Sequence, residues 1–162
     1  MKIGLVRHFE VTLGIPNRQW MTPEQIAQWM NDYDVADIRL GSVDLGDIRW
    51  TRCISSDSPR ALKTAQAIFP GPIEPTPMLR EPALRPIARA NIRMPFPFWK
   101  MMLRIAWMTS HRSQRDVKTA FLQNVKTFAY DVLPQCGENT LVVGHAGFMF
   151  FLRKELLRHG FR

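Results

Sequence analysis

Two short apolar runs, Ile3-Gly4-Leu5-Val6 and Thr140-Leu141-Val142-Val143, end in Arg7-His8 and Gly144-His145-Ala146-Gly147. Runs this short, apolar on both faces, predict buried strands of a sheet covered on each side. Open α/β folds collect their chemistry at the carboxyl ends of such strands. Two imidazoles from distant parts of the chain, one beside an arginine, therefore point to an anionic group that is attacked and clamped. Phosphate is the obvious candidate.

The pattern between them alternates strand and helix. Residues 2–6 read as the first strand and residues 9–21 as a loop. Thr22-Pro23-Glu24-Gln25 is a helix start, with Thr22 as cap, Pro23 in the first turn and Gln25 completing a capping box. Residues 49–54 read as a second strand. Ser58-Pro59 opens a helix with Leu62, Ala65, Ile68 and Phe69 inward, ending before Pro70-Gly71-Pro72. Prolines crowd residues 70–98, which disfavours regular helix there, and a short strand is expected near Ile73. Residues 98–109 predict a short helix. Val117, Phe121, Val125, Phe128 and Val132 mark an amphipathic one. A strand at 140–144 and a helix at 147–158 complete the chain. The expected fold is α/β: three layers, a mostly parallel central sheet with helices on both faces.

With 162 residues and no internal repeat, the chain fits a single domain over 1–162. The opening Met1-Lys2-Ile3-Gly4 is a strand pattern, so no signal peptide is expected. No apolar run is long enough to span a bilayer. Cys53 and Cys136 make neither a disulfide framework nor a metal spacing, and a cytoplasmic location is the default expectation. The net charge is +8. Such a charge suits an anionic substrate, an acidic membrane surface or nucleic acid, or is a solvated basic surface. No nucleic-acid-binding motif accompanies it, so no specific nucleic acid is expected. The stretch from Arg80 to Arg115 is notably rich in arginine and poor in acids.

Ser55-Ser56-Asp57-Ser58-Pro59-Arg60-Ala61-Leu62-Lys63-Thr64-Ala65 follows the second strand, and Met78-Leu79-Arg80-Glu81 comes after it. The order is thus Arg-His, Ser-x-Asp-x-x-Arg-Ala-x-x-Thr-Ala, Leu-x-Glu and Gly-His-Ala-Gly. In this order and spacing the chain resembles the histidine phosphatase superfamily, also called the phosphoglycerate mutase-like family, from Lys2 to about Leu157. The resemblance implies a phosphatase that hydrolyses a phosphomonoester through a phosphohistidine intermediate on His8, with no metal and no cofactor. A neutral imidazole can attack phosphorus near neutral pH, and its other ring nitrogen is expected to donate to a backbone carbonyl. Arg7 and Arg60 are the expected phosphate clamp, and His145 the expected donor to the same phosphate. Glu81 is implied as the acid that protonates the leaving oxygen and then activates water. Asn17 and Ser55 are further substrate-binding candidates. Ser55 and Asp57 are also expected to hold the strand-to-helix turn and position Arg7 or Arg60. Glu10 is a fallback acid, better suited to orienting the Arg7-His8 loop.

The chain departs from the family pattern in two places. Phe9 stands where a small residue usually follows the nucleophile. Pro82-Ala83-Leu84-Arg85-Pro86 replaces the usual glycine, tryptophan and Glu-Gly element after the acid. Members of the family also usually continue past the last helix into a further strand, so either a shorter sheet or a truncated chain is expected here. A lid-like insertion is expected around 82–112. Within it, residues 94–108 are open to three readings: a lid over an anionic and partly apolar substrate, a contact with an acidic membrane, or ordinary packing including a homodimer contact. The expected partner is a small phosphorylated substrate. Rival activities are a phosphohistidine protein phosphatase, a phosphoglycerate mutase-type transferase, a catalytically weak anion-binding relative, and a basic nucleic-acid-binding domain.

Overall fold

The computed structural model of the chain describes residues 1–83 and 92–161. Four parallel strands form the central sheet: β1 (Ile3–Arg7), β3 (Arg52–Ser56), β4 (Ile73–Thr76) and β6 (Thr140–Gly144), in the order β1-β6-β3-β4. Two-residue strands β2 (Trp20–Met21) and β5 (Met94–Pro95) pair antiparallel beside it. Among the described residues, five α-helices accompany the sheet: α1 (Pro23–Val35), α2 (Pro59–Ile68), α3 (Phe96–Met108), α4 (Arg115–Thr127) and α5 (Ala146–Arg158).

The pleat of the sheet divides its side chains between two cores. Leu5, Ile54 and Val142 pack with Phe121, Val125, Phe148 and Leu152 of α4 and α5. Val6, Cys53, Leu141 and Val143 face Ala65 and Phe69, in and just after α2. Helices therefore cover both faces, and the architecture is the three-layer α/β arrangement expected from the sequence. Register fixes what the strand ends deliver. Arg7 pairs with Gly144, so His8 and His145 leave adjacent strands side by side.

Several sequence expectations shift when the chain packs. The second strand begins at Arg52 rather than 49, because its neighbour β6 begins at Thr140, the residue paired with Arg52. In α2 the buried stripe is Arg60, Ala61, Thr64 and Ala65, whereas Leu62 and Ile68 are only half-buried. The predicted amphipathic helix stays regular only to Thr127, then widens into a π-turn over Phe128–Val132 and tightens into a 3₁₀ turn over Leu133–Cys136. Pro134 has no N–H to give the regular ladder there. The capping box at Thr22 forms as expected: Gln25 N–H donates to the Thr22 hydroxyl at 3.3 Å, and Thr22 N–H donates to the Gln25 side chain at 2.9 Å.

The segment at 94–108 is half core. Phe96, Trp99, Leu103 and Ala106 are buried, and the Trp99 indole donates to the Met21 carbonyl at 2.8 Å. Trp99 joins Met21, Ile26 and Phe96 in a third small cluster that ties α3 to α1. Phe98, Met101, Ile105 and Met108 line the opposite, exposed face. Leu84, Arg85 and Pro86, and with them the centre of the expected insertion at 82–112, lie outside the described residues.

Candidate active site

His8 directly follows β1, where its backbone N–H donates to the Gly144 carbonyl at 2.8 Å. The imidazole is buried, at 7% exposure. Its Nδ1 lies 2.7 Å from the Phe9 carbonyl oxygen. A carbonyl can only accept, so Nδ1 carries the proton and Nε2 keeps its lone pair. Burial pushes the His8 pKa down, with the Arg60 and Arg7 charges acting in the same direction and the Phe9 carbonyl opposing them. The ring is therefore neutral, and nucleophilic at Nε2, through the neutral pH range.

His145 directly follows β6 and occupies the N-cap position of α5. It is fully buried, and its ring centroid lies 5.2 Å from that of His8 at an interplanar angle of 61°. Its Nε2 sits 3.1 Å from both the Ser58 and Ser56 hydroxyls. Its Nδ1 is buried with no hydrogen-bond partner. Desolvation, then the Arg60, His8 and Arg7 charges, lower its pKa to about 3. Ser58 occupies the N-cap position of α2 yet makes no capping hydrogen bond, and its hydroxyl pairs with His145 Nε2 instead.

Arg60, in the first turn of α2, is 4% exposed. Its Nη1 donates to the carboxylate of Asp34 at 2.9 Å and to the Asp34 carbonyl at 3.1 Å, at the C-terminal end of α1. The Tyr33 ring lies 5.5 Å from its guanidinium carbon. Its Nε is buried and unpartnered. Two orphaned buried nitrogens, one on each of two cleft residues, mark a place where a ligand would complete the hydrogen bonding. Arg7 is exposed and lines the same cleft.

The Glu81 carboxylate accepts from the Gly147 N–H at 3.2 Å, which places it at the N-terminus of α5, two residues from His145. Arg80 turns away from Glu81 and grips Asp57 with two bonds of 2.5 and 2.7 Å. Asp57 is thereby committed to Arg80 and positions neither Arg7 nor Arg60, contrary to expectation. The cleft has a volume of about 790 Å³ and is bordered by Arg7, Arg60, His145 and Glu81 together with side chains of α1, α3, α4 and α5, while His8 lies just behind that border, its ring against that of His145.

Two expected substrate contacts lie elsewhere. Ser55 is fully buried, its hydroxyl donates to the Ser56 carbonyl at 2.9 Å, and it does not border the cleft. The pleat turns alternate residues of β3 to opposite faces, so Ser55 shares the face of Cys53, over α2. Asn17 is exposed in the loop between β1 and β2, its N–H bonded to the Ile15 carbonyl, and it too is absent from the cleft border. Glu10 reaches Arg39 at 3.8 Å on the surface. The Phe9 ring packs against Gly41 rather than narrowing the cleft. Its N–H donates to the Thr64 hydroxyl at 2.9 Å, and Thr64 in turn donates to the Arg60 carbonyl at 2.8 Å. Thr64 thus couples the His8 loop to the helix that carries Arg60. Ser56, Ser58, Tyr33 and Asp34 are site contributors that the sequence reading left out.

Among the described residues, no three His, Cys, Asp or Glu side chains are grouped as metal ligands would be, and no helix is long and apolar enough to cross a membrane. No curated protein matches the sequence. Among solved structures, the chain is similar to a proposed alpha-ribazole-5′-P phosphatase from Escherichia coli K-12, with a TM-score of 0.54 and 20% identity, over 96% of this chain and 79% of that one. It is also similar to a mycobacterial glucosyl-3-phosphoglycerate phosphatase, with a TM-score of 0.48 and 17% identity, over 95% and 80% of the two chains. The sequence model of the histidine phosphatase superfamily (branch 1) matches residues 3–161. Nearly the whole chain is covered by that match, and it belongs to this superfamily.

Proposed function

We propose that the protein is a phosphomonoesterase that works without a metal through a phosphohistidine on His8. The observation that carries this reading is the His8–His145 pair at adjacent strand ends, with His8 Nδ1 held against the Phe9 carbonyl. Nε2 of His8 attacks phosphorus, the phosphorus–oxygen ester bond breaks, and Glu81 gives its proton to the departing alkoxide. Water then attacks the phosphohistidine, Glu81 takes a proton from it, and the phosphorus–nitrogen bond breaks to release phosphate. Arg7 and Arg60 bind the equatorial oxygens, where charge builds in the transition state. His145 donates to the same oxygens. The positive charge a metal would otherwise supply comes from the two guanidinium groups.

Placement of Glu81 beside the His145 loop supports its acid role and separates two activities. An alkyl phosphate needs its leaving oxygen protonated, whereas a phosphohistidine side chain is already a good leaving group. The Glu81→Gln variant is expected to lose at least ~100-fold in kcat on an alkyl phosphate. It should lose much less on an activated aryl phosphate. Equal, small losses on both substrates would remove Glu81 from the mechanism and favour a phosphohistidine protein phosphatase.

A further inference from the structure

The phosphate end occupies only part of the cleft. Its volume of about 790 Å³ lies in the ~300–1,000 Å³ range of sites that enclose a drug-sized ligand. The wall beyond the arginines is aromatic and aliphatic: Trp29 from α1, Phe96, Leu103 and Trp107 from α3, Phe121 from α4 and Phe151 from α5. Hydroxyl and amide side chains are scarce along it. Among the described residues the border contains no Asn, Gln or Thr, and its hydroxyl side chains are Tyr33, beside Arg60, and Ser58, which already bonds His145. The Trp29 indole is also taken, by the Gly14 carbonyl. A sugar or polyol phosphate would bury hydroxyl groups against this wall with few partners, at a real energetic cost.

Charge on the same wall is one-sided. Lys100 and Arg104 border the cleft one helical turn apart on α3. Neither has an acidic partner among the described residues, whereas Arg60 and Arg80 have theirs in Asp34 and Asp57. Two cations without acidic partners among the described residues, Lys100 also lying over the Phe96 ring at 5.8 Å from its centroid, stand next to an apolar wall, separate from the arginines that end β1 and open α2, and suit a second anionic group.

Resting on the phosphatase reading above, we propose that the substrate is an amphiphilic phosphomonoester. Its phosphate lies at His8, an apolar body runs along the α1–α3 wall, and a second anionic group meets Lys100 and Arg104. An extended aliphatic body and an aromatic one share this chemistry, and the ligand series below separates them.

The test uses phosphonates, which bind without being hydrolysed, so it reads recognition independently of turnover. Titration calorimetry on the full chain compares methyl, butyl, hexyl and octyl phosphonate, an arylphosphonate of similar size, and the same chains ending in a carboxylate. Affinity is expected to rise up to about fourfold per added methylene. The terminal carboxylate is expected to add about fivefold at low salt, fading as salt is raised. In Lys100→Gln/Arg104→Gln that carboxylate gain should vanish while the chain-length gain stays. Both residues are exposed, so the pair of substitutions spares the core. An aryl body that binds better than an alkyl one of equal size would assign the aromatic form. Affinity flat with chain length, or a sugar phosphonate binding as tightly as the octyl compound, would overturn the proposal and leave the phosphatase reading standing. A carboxylate gain that survives the double variant would overturn the assignment of the second anion site. If no phosphonate binds, and neither does inorganic phosphate, the phosphatase reading fails as well.

Discussion

At the residue scale, the site rests on burying two imidazoles next to two guanidinium groups. That is costly for any added positive charge, and it keeps both histidines neutral: His8 through burial, then Arg60 and Arg7, and His145 through burial, then Arg60, His8 and Arg7. Both histidines bind fewer protons folded than unfolded, so acid favours unfolding. For His145 the effect sets in as pH falls below the ordinary histidine value of 6.5 and grows down to about 3. Over that whole span it amounts to on the order of 5 kcal/mol. Urea denaturation from pH 7 to pH 4.5 should therefore show stability falling, and falling less steeply in His145→Gln. Identical slopes in the two proteins would mean that His145 takes up its proton normally in the folded state. These residues were legible because each stands at a strand or helix end marked by local sequence. Asn17 and Ser55 were misplaced for two reasons: a one-residue step along β3 reverses the face of a side chain, and a loop's path is not encoded in spacing. Asp57 was misassigned because its partner, Arg80, lies 23 positions away, across the β3–β4 pair.

At the element scale, strands and helices with strong apolar patterns were readable, and those depending on a neighbour were not. Strand β3 slid to Arg52–Ser56 because pairing with β6 determined its start. Strands β2 and β5 are two residues each and exist through mutual pairing, so neither carries a pattern of its own. The helix predicted at 98–109 begins at Phe96, since a proline in the first turn does not obstruct a helix. Gly4 shows how closely the elements fit. A Cβ there would come 2.7 Å from the Leu141 side chain and 2.9 Å from the Trp50 ring. Gly4→Ala is expected to destabilise the fold by about 1–2 kcal/mol in urea denaturation, with an unchanged denaturant dependence. A change within ~0.5 kcal/mol would show that Trp50 yields freely and that the contact does not hold β1 in place.

At the scale of the whole molecule, the parallel sheet brings together residues from opposite ends of the chain. His8 and His145 become neighbours because β1 and β6 pair in register, and α2 adds Arg60 at the adjacent strand end. The superfamily was legible from four short motifs in order, each lying at the end of an element. The +8 charge, by contrast, said little alone. It acquired meaning at Lys100 and Arg104, where packing of α3 against α1 sets on the cleft wall two cations that have no acidic partner among the described residues. The central claim is a covalent phosphoryl bond to His8. The direct measurement is rapid quenching into base, which preserves phosphohistidine, during turnover of an aryl phosphate in EDTA, followed by mass spectrometry of the peptides. The account predicts a phosphoryl adduct on His8 that forms and decays with turnover, and loss of both adduct and activity in His8→Asn. Turnover with no adduct on His8, or activity that survives in His8→Asn, would contradict it.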